Sequence, residues 1–118
     1  MSEKLFDKLG GFSQIRKIIS EFYDKLLDNE NLSHYFKDVD MAKLIDHQTK
    51  FITYVLDGPV DFKEEALKRA HSSLGISTDE FDEMAGLLRE TLEDFDLEPS
   101  DIEIICSEVE KRRPVVII

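Results

Sequence analysis

The apolar residues of this chain recur with a helical period over nearly its whole length, and few folds tolerate that pattern. Ile15, Ile18, Ile19, Phe22, Tyr23, Leu26 and Leu27 form one continuous inward stripe. Met41, Leu44, Ile45, Gln48, Phe51, Ile52 and Val55 form a second. Phe81, Met84, Leu88, Thr91, Leu92 and Phe95 make a third, and Ile102, Ile105, Cys106 and Val109 a fourth. The expected class is all-α. With 118 residues the chain is long enough for one domain with a real core, and too short for two. Val115-Val116-Ile117-Ile118 alone reads as strand-like, and after Pro114 it is too short to build a sheet, so 113–118 is taken as a C-terminal tail.

Turn and cap residues divide the stripes. Gly10-Gly11 separates a short first helix from the second, and Asn29-Glu30-Asn31 ends the second before a turn through Leu32-Ser33-His34-Tyr35-Phe36. Asp40 is placed to cap the helix that carries Gln48, which Asp57-Gly58-Pro59 then ends. Ser77-Thr78-Asp79-Glu80 and Ser100-Asp101-Ile102-Glu103 both read as capping boxes. Val60 to Lys68 is the least periodic stretch, so a loop and then a short helix ending at His71 are expected there.

Charge narrows the partners. Twenty-six acidic against 15 basic residues give a formal charge of -11, which disfavours nucleic acid and anionic membrane surfaces. The basic run Lys111-Arg112-Arg113 suits a helix C-terminal end better than a binding patch. No apolar run approaches the roughly 18 residues of a membrane span. The N-terminus lacks the basic-then-apolar layout of a signal peptide, and the lone Cys106 permits neither an intrachain disulfide nor a Cys-x-x-Cys-His haem attachment. A reducing cytoplasm is the expected setting.

Three polar residues break the apolar pattern. At about 100° per residue, Leu44, Phe51, Ile52, Val55 and Met41 fall within about 60° of Gln48, which puts that amide at the centre of an apolar face. Tyr23 lies between Phe22 and Leu26 in the same way. A buried polar group left unpaired costs about 1–3 kcal/mol, so both need partners. They either bond each other or the backbone, or they face a bound ligand. His71, at the end of its segment, is either a helix-end partner or a ligand approaching from the opposite side.

From Leu5 to about Glu110 the chain resembles the group I truncated haemoglobins, and in particular their cyanobacterial branch. The matching stretches are Leu5-Phe6-Asp7-Lys8-Leu9-Gly10-Gly11, Phe22-Tyr23, Leu32-Ser33-His34-Tyr35-Phe36, Val39-Asp40-Met41, Gln48-x-x-Phe51, Gly58-Pro59 and His71-x-x-x-Gly75-Ile76. The resemblance implies a two-over-two helical sandwich around non-covalent haem b. His71 would be the proximal iron ligand, and Tyr23 and Gln48 the distal hydrogen-bonding pair. Leu44, Phe36, Phe51, Ile52, Phe62, Leu67, Ile76, Phe81 and Leu88 would wall the pocket. The family's second glycine pair is only partly kept, as Asp57-Gly58, which bears on the loop before His71.

The cyanobacterial branch also matches at Asp38-Val39-Asp40-Met41-Ala42-Lys43 and His47-Gln48, and there the equivalent of His47 binds iron when no external ligand is present. By angle His47 lies about 100° from Gln48, so it is either a surface residue beside a haem propionate or an internal iron ligand. Lys43 and Lys50 are either solvated or paired with propionates. His34 reads as a surface or packing residue, and Cys106 as a buried small hydrophobe.

Hydrogen bonds from Tyr23 and Gln48 in a dry cavity would hold dioxygen tightly, which suits detoxification better than transport. The resemblance implies reversible binding of dioxygen, nitric oxide, carbon monoxide or cyanide, and oxidation of nitric oxide to nitrate. That reaction needs an external reductase, because the chain has no flavin or nicotinamide motif. Two other readings compete: a six-coordinate electron-transfer or gas-sensing haem protein, and a cofactor-free helical interaction module. A monomer or weak dimer is expected.

Overall fold

The computed structural model describes residues 5–56 and 76–111, and every regular element among them is helical. A one-turn α1 (Leu5–Lys8) leads into α2 (Gly11–Leu27) and a single 3-10 turn (Ser33–Phe36). Then come α3 (Met41–Val55), α4 (Thr78–Asp94) and α5 (Pro99–Glu110). The expected loop, the segment ending at His71 and the C-terminal tail lie outside the described residues. No described helix is long and apolar enough to cross a membrane.

Local chemistry explains the element boundaries. Gly10 and Gly11 both adopt positive φ, 100° and 75°, and a Cβ on Gly10 would approach the Gln14 side chain to 2.9 Å. The corner between α1 and α2 therefore requires glycine. Beyond α2, Asn29 Oδ1 accepts from the N–H groups of Asn31 (2.8 Å) and Leu32 (3.1 Å), while its amide donates to Glu83 on α4 (2.8 Å). Asp40 caps α3 by accepting from the Lys43 N–H. Ser77 and Glu80 form the expected reciprocal box at the start of α4.

The second expected box does not form. Pro99 takes the first position of α5, with Glu98 as its cap, so Ser100 and Glu103 already lie inside the helix. Glu103 pairs instead with Arg89 across the α4–α5 contact.

α2 is the hub, packing on α1, the 3-10 turn, α3 and α4, while α4 also packs on α5. This is the two-over-two arrangement. Ile15, Leu26, Phe81 and Ile105 are each 1% exposed, so both layers contribute to the interior. Leu27 is an exception to its stripe: about 100° beyond Leu26, it turns outward and is exposed. The buried face of α3 also differs from the pattern, because Thr49 and Thr53 are buried whereas Gln48 is half-buried. Each threonine hydroxyl donates to the carbonyl four residues back, Ile45 and Thr49 (2.7 Å each). Their burial therefore leaves no donor unpaired, and their small size lets helices approach. Thr91 does the same to Leu87 (2.8 Å).

Ile15→Ala should cost about 2–5 kcal/mol of stability through lost burial and the cavity left behind. Urea denaturation checks this, and a loss under about 1 kcal/mol would place Ile15 outside the core.

Candidate functional site

A cavity of about 110 Å³ lies where α2, α3 and the start of α4 face one another around the 3-10 turn. Tyr23 and Leu26 come from α2, Leu32, Tyr35 and Phe36 from the turn, and Leu44, His47 and Gln48 from α3. Ile76, Glu80 and Met84 close the α4 side. The space is several times the roughly 30 Å³ share of a water molecule, ample for a diatomic ligand.

Tyr23 is the most informative group in this wall. Its ring is 7% exposed and sits edge-on to Phe22 and Phe36, with centroids at 5.2 and 5.6 Å. Burial alone drives the ionisation of its hydroxyl well above the ordinary tyrosine range, so the group stays a protonated donor. That hydroxyl makes no hydrogen bond to any described residue, and neither does the Gln48 side chain. The two polar groups thus share one cavity without bonding each other.

Of the residues singled out in the sequence, the structure brings Tyr23, Phe36, Leu44, His47, Gln48 and Ile76 together around this space. His47 and Leu44 also border an outer groove with Lys43 and Lys50. Four further expected wall residues are not among those lining this cavity. Phe51, Ile52 and Leu88 are buried in the main helix-packing core, and Phe81 sits in a smaller cluster with Ile76, so none of the four borders the cavity. A helical stripe marks burial without saying which neighbour a side chain meets. Phe62, Leu67 and His71 lie outside the described residues. Cys106 is half-buried rather than fully so, with burial raising its thiol pKa.

Sequence reasoning missed Leu26, Leu32, Tyr35, Glu80 and Met84 as wall residues. Glu80 had a visible signal as the third residue of a capping box, but its second role depends on a tertiary contact. Tyr35 hydroxyl donates to Glu80 Oε1 (2.7 Å), which also accepts from the Ser77 N–H (3.0 Å). Burial first, and then Glu80, push the Tyr35 pKa up to about 12. The Ser77 N–H, then the Tyr35 hydroxyl, hold the Glu80 carboxyl below the usual range.

An apolar chamber with a buried donor that has no partner among the described residues is chemically suited to a small polar ligand held on a flat apolar cofactor. The wall fits that group: Leu26, Leu32, Phe36, Leu44, Ile76 and Met84 supply apolar contact, and Tyr23 and Gln48 supply donors.

Fold and chamber together define an all-helical, two-over-two globin. The bacterial-like globin family model matches residues 4–117, and the chain belongs to that family. The group 1 truncated haemoglobin GlbN of Synechocystis sp. is 33% identical over 102 residues, covering 83% of this chain and 82% of that protein. The group 1 truncated haemoglobin of Tetrahymena pyriformis is 29% identical over 111 residues, 94% of this chain and 92% of that one. The crystal structure of the Tetrahymena pyriformis protein in its Fe(III) form is similar with a TM-score of 0.88 at 28% identity, covering 98% of each chain. The 2/2 haemoglobin of Synechococcus sp., in the cyanomet state with covalently attached haem, gives 0.89 at 29% identity over 97% of this chain and 98% of that one.

Proposed function

We propose that this chain holds haem b non-covalently and binds dioxygen and other diatomic ligands beside Tyr23 and Gln48, with His71 as the protein's iron ligand. The buried Tyr23 hydroxyl, unpaired among the described residues, carries the reading, because a group that costs about 1–3 kcal/mol when unmet is retained for something it meets in function. Bound haem supplies an iron centre for diatomic ligands and for one-electron chemistry. The chain's own part is to exclude water with its apolar wall, to donate hydrogen bonds from Tyr23 and Gln48 to a polar ligand atom, and to keep that ligand oriented. Such retention suits oxidation of nitric oxide to nitrate, with an external reductase returning electrons. A cytoplasmic monomer or weak dimer completes the proposal.

Absorption spectra of the ferric, ferrous and carbon monoxide forms test it. A Soret band that shifts with oxidation state and with carbon monoxide is expected. Haem-reconstituted protein without that band would leave a cofactor-free helical module as the reading.

One observation favours a second reading. His47 is half-buried and borders the cavity as well as the outer groove, so it lies between the two roles considered for it. If it ligates iron in the resting protein, the ligand-free ferric and ferrous forms are low-spin and six-coordinate. Binding of an added ligand then saturates at the rate at which His47 leaves. His47→Ala should convert the protein to a mainly high-spin form and remove the saturation. A wild-type ferrous spectrum that is already five-coordinate would return His47 to the propionate edge.

A further inference from the structure

Capping α4 requires only that Glu80 meet Ser77, yet the side chain also reaches the cavity and takes a bond from Tyr35 across the 3-10 turn. The second bond pins the carboxylate in the chamber wall, with Oε1 shared by the Tyr35 hydroxyl and the Ser77 N–H. Among the described lining residues Glu80 is the one carboxylate, and most of its neighbours there are apolar.

We propose that Glu80 is a selectivity residue, a fixed negative charge in the cavity wall that admits neutral diatomic ligands and disfavours small anions. The proposal rests on the reading of the cavity as a ligand chamber. A unit charge held in the lining of a mostly apolar chamber acts on an anion that enters it, while an uncharged diatomic scarcely feels it. The surroundings favour an ionised carboxylate, since both groups that bond Oε1 are donors and lower its pKa. Charged or titratable neighbours are Tyr23 and His47 across the chamber, and His34 stacked on Tyr35 at 4.1 Å. On α4 itself they are Asp79 and Glu83, the latter occupied by Asn29 and Asn31. The whole chain's charge of -11 acts in the same direction as Glu80. An anionic product such as nitrate would be expelled by the same field.

Azide and nitric oxide, one anionic and one neutral, are titrated against the ferric haem-loaded protein. Glu80→Gln, which keeps the shape of the group, should raise azide affinity relative to nitric oxide affinity by about fivefold. Tyr35→Phe keeps the charge but frees the carboxylate, and should move that ratio in the same direction by less than Glu80→Gln does. Added salt should raise azide affinity in the wild type more than in Glu80→Gln, because salt screens a charge. An azide to nitric oxide ratio equal in wild type and Glu80→Gln, or moved as far by Tyr35→Phe, overturns the proposal. If Glu80→Gln does not fold, a wild-type azide affinity indifferent to salt does the same. Absence of any Soret band would instead overturn the haem reading, and this one with it.

Discussion

His71→Ala protein is expected to lose stable haem uptake while keeping its helical content. The described part of the chamber supplies donors and apolar surface, and its one imidazole is His47, beside Gln48 on α3. A second imidazole approaching from elsewhere must come from His71 or His34, and His34 is exposed on the 3-10 turn, stacked against Tyr35. His71, which lies outside the described residues, is the histidine to which the proposed function assigns the iron. Circular dichroism separates loss of haem from loss of fold, since the core that fixes α2, α3, α4 and α5 is built from residues such as Ile15, Leu26 and Ile105. A spectrum and a haem retention unchanged by the substitution would remove His71 from the iron.

The helical period carried most of the fold because burial and period coincide wherever one face of a helix packs on protein along its whole length. α2 shows this: five apolar members of its stripe and Tyr23 are buried, and only Leu27, at the last turn, is exposed. α3 is harder to read because it serves two neighbours. One side, through Thr49, Ile52 and Thr53, joins the packed core, and another, through Leu44, His47 and Gln48, faces the cavity. A hydropathy pattern merges these sides into one stripe centred on Gln48 and passes over buried threonines, whose hydroxyls are satisfied within their own helix. Tyr23 and Gln48 were legible as polar intrusions. Glu80 was not, because its cap was local and its contact with Tyr35 joins residues 45 positions apart.

Tyr23→Phe is expected to accelerate dioxygen release by an order of magnitude or more. Tyr23 is a buried residue in the wall of a mostly apolar cavity, and a hydrogen bond from its hydroxyl to a partly charged acceptor is worth about 1.5–3 kcal/mol, where about 1.4 is tenfold. Gln48→Leu should act in the same direction, and the double substitution should fall short of the sum, because both donors serve one acceptor. Stopped-flow dissociation indifferent to both changes would deny them a distal role. The same residue sets an alkaline limit on stability. Burial raises the Tyr23 pKa above its unfolded value of 10.0, so at high pH the unfolded chain loses a proton that the folded chain keeps. Its favourable contribution is complete below that value and is lost as pH rises past it, by about 1.4 kcal/mol per pH unit. Tyr35, raised to about 12, adds a smaller loss in the same window because it is only half-buried. Tyr23→Phe should therefore flatten the fall in urea midpoint between about pH 10 and 12 even as it loosens the ligand. Equal slopes in the two proteins would mean that the phenol meets water in the folded state, which would also weaken its claim to hold a ligand.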